Sequence, residues 1–84
     1  MVLLRPSAAK ALAALTRKNQ KLVAERIGAL AESPRPPGVE KLKGEADLYR
    51  IRSGDFRILY TIEDAILKVL VVTIGNRKEV YRKR

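Results

Sequence analysis

The chain contains neither cysteine nor histidine. That double absence removes disulfides, thiolate metal sites, the commonest zinc ligands, every imidazole acid or base and every thiol nucleophile. Aromatic residues are scarce at 5%, and acidic residues number only 9 against 18 Lys and Arg, a net charge of +9. Long apolar runs are also missing. The longest, Ala65–Ile74, is interrupted by Lys68 and is too short to cross a bilayer. No stretch reads as a signal peptide, so the expected location is the cytoplasm. What is present is a chain of 84 residues with 46% hydrophobic content. That length makes one small domain, residues 1–84, which buries roughly 60–65% of its unfolded surface and relies on its apolar core alone. The surplus of positive charge points to a polyanionic partner, most often nucleic acid, or to an acidic protein.

The most informative stretch is Leu48-Tyr-Arg-Ile-Arg-Ser-Gly-Asp-Phe-Arg-Ile-Leu-Tyr60. Two runs rich in β-branched and aromatic residues flank Gly54-Asp55, and glycine at the first turn position suits a type II′ hairpin. With those two residues as the loop, Ser53 sits opposite Phe56, Arg52 opposite Arg57, Ile51 opposite Ile58, Arg50 opposite Leu59 and Tyr49 opposite Tyr60. Directly opposed residues share a face, so Tyr49, Ile51, Phe56, Ile58 and Tyr60 form an apolar side. Arg50, Arg52 and Arg57 gather on the other side. Like charges facing each other destabilise a strand pair. Three converging arginines therefore imply that an anion belongs between them.

Around the hairpin the chain reads as strand, helix, helix, strands. Met1–Arg5 is a short apolar strand limited by Pro6. Ser7 is expected to cap a helix running to about Thr16, with Ala8, Leu12 and Leu15 at helical spacing. Asn19 is expected to cap a second helix reaching about Glu32, with Leu22, Val23, Ile27 and Leu30 as its buried stripe. The outer faces of this helical hairpin carry Lys10, Arg17, Lys18, Lys21 and Arg26, either a solvated surface or one that docks on structured RNA. Ser33-Pro-Arg-Pro-Pro-Gly38 ends the helix, and Val39–Gly44 continues that loop or forms a brief turn. After the hairpin, Glu63 and Asp64 turn the chain into a last strand, about Ile66 to Ile74. Strict alternation puts Leu67, Val69 and Val71 on the apolar side. It puts Lys68, Leu70, Val72 and Ile74 on the arginine side, where tail residues Val80 and Tyr81, or a partner, are expected to shield them.

Leu42-Lys-Gly44, the hairpin itself, and Val72-Thr-Ile-Gly-Asn-Arg-Lys-Glu-Val-Tyr81, taken in order, resemble the RelE/ParE superfamily of toxins from type II toxin–antitoxin systems. The resemblance spans nearly the whole chain. It implies an α+β, microbial RNase-type fold, β-α-α-β-β-β, with the helical hairpin on one face of a mostly antiparallel four-stranded sheet. In the RelE branch it further implies a toxin that enters the ribosomal A site and cleaves mRNA without metal or cofactor, and that a cognate antitoxin silences. By position, the family's basic catalytic residues fall on Arg50, Arg52, Arg57 and Arg77, and its catalytic tyrosine on Tyr81. Contacts to RNA are expected from Lys18, Lys21, Lys43, Lys78 and Arg82. Two departures bear on the chemistry: many relatives carry Lys at the positions of Arg50 and Arg52, and others carry His at that of Asn76. An arginine, with a pKa above ~12, is a poor general base, so the proton carrier stays open. Two other readings stand beside the nuclease: a ParE-like inhibitor of DNA gyrase without cleavage chemistry, and a degenerate relative that binds only antitoxin or RNA.

Overall fold

The computed structural model describes residues 1–42, 44 and 47–76. Its first strand, β1 (Val2–Leu4), is followed by two helices, α1 (Pro6–Ala13) and α2 (Arg17–Ala29). The remaining strands are β2 (Glu40–Lys41), β3 (Leu48–Ser53), β4 (Phe56–Glu63) and β5 (Lys68–Asn76), with a single 3₁₀ turn, Asp64–Ile66, between the last two. They form one five-stranded sheet in the order β1-β5-β4-β3-β2. β1 runs parallel to β5, and every other pairing is antiparallel. This is the expected α+β layout with one strand more. The segment Val39–Gly44, expected as loop or turn, contributes β2, which pairs Glu40 with Arg50 and Lys41 with Tyr49. Both edge strands are very short, which limits the open edge offered to another chain.

The helix starts differ from those expected, for a backbone reason. Arg5, held extended (φ −63°, ψ 153°) before proline, is the N-cap of α1, and Pro6 takes the first helical position. There its missing N–H costs nothing, so Ser7 lies inside the helix rather than capping it. For α2 the cap is Thr16, whose hydroxyl accepts from the Asn19 backbone N–H at 3.3 Å. Asn19 is therefore three residues into the motif, not at its head. Val23, Ile27 and Leu30 are buried at i, i+4 and i+7, whereas Leu22 lies off that stripe and is 47% exposed.

The core lies between the helices and one face of the sheet: Ala8, Val23, Ile27 and Leu30 pack with Tyr49, Ile51, Ile58, Tyr60, Val69, Val71 and Ile74. Tyr60 is fully buried, stacks on Tyr49 at 5.8 Å between centroids, and donates its hydroxyl to the Pro34 carbonyl at 2.7 Å. Burial pushes that phenol up to about 12. At the residue after Pro34, Arg35 forks onto Asp64 with two bonds of 3.0 Å and lies 5.3 Å over the Tyr49 ring. These contacts fix the proline-rich crossing loop across the end of the sheet.

The last strand corrects the strict alternation expected for it. Ile58 pairs with Ile74 and Leu59 with Thr73, but Tyr60 pairs with Val71. Val72 is an extra residue without a partner in that register, a β-bulge, and beyond it inside and outside exchange parity. Ile74 thus joins the core at 6% exposure instead of lying on the arginine side. Leu67 is not a strand residue at all. It takes the left-handed conformation (φ 51°) after the 3₁₀ turn and is 77% exposed, as Ile66 is at 56%.

Candidate functional site: an arginine face on the sheet

The hairpin register is the one that its sequence dictates. Ser53 pairs with Phe56, Arg52 with Arg57, Ile51 with Ile58, Arg50 with Leu59 and Tyr49 with Tyr60. Of the two loop residues, Gly54 takes positive φ (62°), the torsion that a type II′ turn requires at its first position and that glycine adopts without strain. Because Ile51, Ile58 and Tyr60 face the helices, Arg50, Arg52 and Arg57 project from the opposite side of the sheet. Thr73 and Gly75 of β5 extend that side opposite Leu59 and Arg57.

The three guanidinium groups sit in three different environments. Arg57 is buried at 7% exposure, and its Nη1 makes a long bond of 3.4 Å to the Phe56 carbonyl. Among the described residues no carboxylate lies within ion-pair distance of it. Arg52, directly opposite, is exposed. Arg50 is half-buried and ion-paired with Glu40, whose Oε1 accepts from Nε at 3.1 Å and also from Nη2. The arrangement is a rigid, positively charged patch on paired strands, with one cation drawn into the protein. Such a patch suits an anion whose oxygens receive N–H donors from several sides at once.

Glu40 is the functional candidate that sequence reasoning missed. Its carboxyl is held below the usual carboxylate range, first by the hydrogen bond from Arg50, then by the charges of Arg50, Arg52 and Arg57. It therefore stands within the field of all three arginines. The signal was present in the sequence only as Glu40 ten residues before Arg50. No pattern there announces a two-residue strand.

The other expected residues divide cleanly. Lys18 and Lys21 are exposed on α2, in the layer on the far side of the sheet from the arginines, so the fold does not gather them with that face. Lys43, Arg77, Lys78, Tyr81 and Arg82 lie outside the described residues, as does Val80. Arg26 of α2, by contrast, reaches the sheet and donates from Nε to the Arg52 carbonyl at 3.2 Å. Among the described residues no group of His, Cys, Asp and Glu is placed to hold a metal ion, and no helix is long and apolar enough to cross a membrane. An apolar groove of about 460 Å³ runs between the two helices, lined by Leu4, Ala9, Leu12, Ala13 and Ala24 and flanked by Arg17 and Lys21.

Comparison with known proteins gives the relatives of the chain as a whole. The model of a family described as the ParE toxin of type II toxin–antitoxin system, parDE, matches residues 2–81. Among solved structures, a chain of the archaeal RelE–RelB complex from Pyrococcus horikoshii OT3 is 28% identical. The match covers 90% of this chain and 92% of that one, with a TM-score of 0.80. A chain of the RelBE2 toxin–antitoxin complex from Mycobacterium tuberculosis is 26% identical over 92% and 96%, with a TM-score of 0.81. The isolated RelE toxin of E. coli is 28% identical over 99% and 92%, with a TM-score of 0.78. A search of curated proteins finds no match.

Proposed function

The chain belongs to the ParE toxin family of type II toxin–antitoxin systems, and from that premise we propose that it is a ribosome-dependent mRNA endoribonuclease. The observation that carries this reading is Arg57: a buried cation with no carboxylate partner among the described residues, set directly opposite a second arginine on a rigid sheet. Folding alone gains nothing from that juxtaposition. A phosphodiester gives it a purpose. In the reaction, the substrate's 2′-oxygen attacks the adjacent phosphorus and the bond to the 5′-oxygen breaks. The products are a 2′,3′-cyclic phosphate and a 5′-hydroxyl, the departing 5′-oxygen taking its proton from water or from Tyr81, and negative charge builds on the non-bridging oxygens. Arg57 and Arg77 hold those oxygens, with Arg50 and Arg52 adding to the field. Preorganised guanidinium donors of this kind stabilise the developing charge without changing protonation state. Tyr81 stacks on a base or shares in proton transfer.

The proton released by the 2′-hydroxyl needs an acceptor, and arginine is a poor one. Glu40, ionised at neutral pH and hydrogen-bonded into the cluster, is our assignment. The same arginines that keep it ionised also weaken it as a base, so it acts as Arg50 turns from it toward the incoming phosphate.

The partners follow from this reading. The ribosome supplies the mRNA in place, and the protein works in the cytoplasm. Several of the similar structures are complexes of RelE with RelB antitoxins, and we assign this chain an antitoxin of its own. Apolar side chains of that antitoxin would fill the groove between α1 and α2, and acidic ones would cover the arginine face. The exposed Lys18 and Lys21 remain candidates for ribosomal RNA contact, which predicts ribosome binding that weakens steeply with salt. A second reading, inhibition of DNA gyrase, is favoured by the ParE identity of the matching family model.

Expression without antitoxin, followed by mapping of mRNA 5′ ends, decides between the two. Cuts within codons that disappear in Arg57→Ala and Arg77→Ala support the nuclease. DNA breaks dependent on gyrase, with intact mRNA, support the other reading. Fully toxic arginine variants would remove the arginine face from the mechanism.

A further inference from the structure

The arginine face does not end at the edge of β3. Among the described residues β2 pairs only with Tyr49 and Arg50, and no strand covers the edge of β3 from Ile51 onward. The Leu42 N–H bonds the Leu48 carbonyl across this edge, and strand alternation turns the peptide groups of Arg50 and Arg52 the same way. Where β2 is missing there is instead a cleft of about 460 Å³, lined by Arg26, Gly38, Val39, Glu40 and Arg52. Arg26, half-buried on α2, crosses to this edge and spends one of its five N–H donors on the Arg52 carbonyl at 3.2 Å. That bond anchors its guanidinium at the cleft wall. Among the described residues no carboxylate lies within ion-pair distance of Arg26 or Arg52. Among the described residues Glu40 is the one carboxylate lining the cleft, and it is already answered by Arg50.

We propose that this cleft is a second phosphate subsite, in which Arg26 and Arg52 hold a phosphate adjacent to the one that is cleaved. The inference rests on the nuclease reading and extends it to the path of the substrate. Arg50 and Arg52 project on one face two residues apart, about 6.8 Å along the strand. That step is of the order of the spacing between successive phosphates of an extended RNA strand. Arg52, exposed and at the strand edge, is the hinge between the two positions. The RNA backbone would run from Arg57 and Arg50, past Arg52, and over the β3 edge to Arg26. Recognition at Arg26 is of charge and carries no sequence preference.

The plain structural alternative is that Arg26 only covers an open strand edge. Arg26→Gln separates the two roles, because glutamine keeps an N–H donor for the Arg52 carbonyl and loses the charge. The probe is a 2′-O-methyl trinucleotide, which lacks the attacking hydroxyl, titrated at low salt and followed by NMR. Three forms are compared: both phosphates intact, or either one replaced by an uncharged methylphosphonate. The expected result is that Arg26→Gln binds the intact trinucleotide about fivefold more weakly. That loss should vanish for one of the two methylphosphonates and persist for the other. Equal loss on all three probes, or none on any, overturns the subsite. Arg57→Ala is measured alongside. If it weakens binding while Arg26→Gln shows no phosphate-specific loss, the subsite alone fails. If it binds every probe as the unmodified protein does, the nuclease reading and the subsite fail together.

Discussion

Replacing Arg57 by methionine should raise stability while sharply reducing activity. Methionine reproduces the flexible stem of arginine as far as Nε and lacks only the guanidinium head, so it fills most of the space of a residue that is 7% exposed. The change removes a cation directly opposite Arg52, a like-charge cross-strand pair that costs roughly 0.2–1 kcal/mol. It also removes the need to keep a charge partly out of water. Against this stands one long bond, 3.4 Å to the Phe56 carbonyl, at the edge of useful geometry. The net gain should be about 1 kcal/mol, which for a domain of this size appears as a rise in Tm of about 4–8 °C. Cleavage on programmed ribosomes should fall by roughly 10²–10³, the usual consequence of losing one preorganised donor to a developing oxyanion. Thermal melts followed by circular dichroism and a primer-extension assay measure the two effects on the same preparations. A variant that melts lower by several degrees would show that Arg57 holds the fold together, and would refute the claim that its charge is kept for an anion.

Three further changes probe other parts of the argument. Glu40→Gln should reduce cleavage by roughly 10²–10⁴, the usual contribution of a positioned general base. Oligonucleotide affinity, measured by titration, should stay the same or improve because a negative charge leaves the arginine face; unchanged cleavage would reassign the base. Ile74→Ala should cost about 2–4 kcal/mol in urea unfolding, since Ile74 is buried against Ile58. A cost below about 0.5 kcal/mol would return it to the surface. Asp64, whose carboxyl Arg35 holds below the usual carboxylate range, contributes stability that is complete above the unfolded carboxylate pKa and is lost as pH falls through the lower folded value. The melting temperature should therefore drop below about pH 4, and Asp64→Asn should flatten that acid limb while lowering the neutral plateau.

The hairpin was fully legible because everything that fixes it is local. Two loop residues, a glycine suited to positive φ and an apolar face of period two determine five of the six cross-strand pairs named from the sequence alone, and the sixth, Leu48 with Thr61, continues the same register. Where the outcome depends on a distant partner, local signals run out. Val72 looks like any strand residue, yet it is extruded as a bulge, since Ile58 needs Ile74 beside it in the core while Tyr60 needs Val71. Both demands come from the helix layer, which the local pattern of β5 does not record. Glu40 and Lys41 form a strand only because β3 offers an edge to pair with, and that pairing is what brings a carboxylate into the arginine cluster. Arg26 belongs by sequence to a helix surface, and only the crossing of α2 over the open edge of β3 delivers it to Arg52. The same division separates binding from chemistry. The cations that attract an anion lie on one hairpin and can be found by register alone. The group assigned to take the proton and the group assigned to steer the neighbouring phosphate arrive from elsewhere in the chain, and folding brings them there.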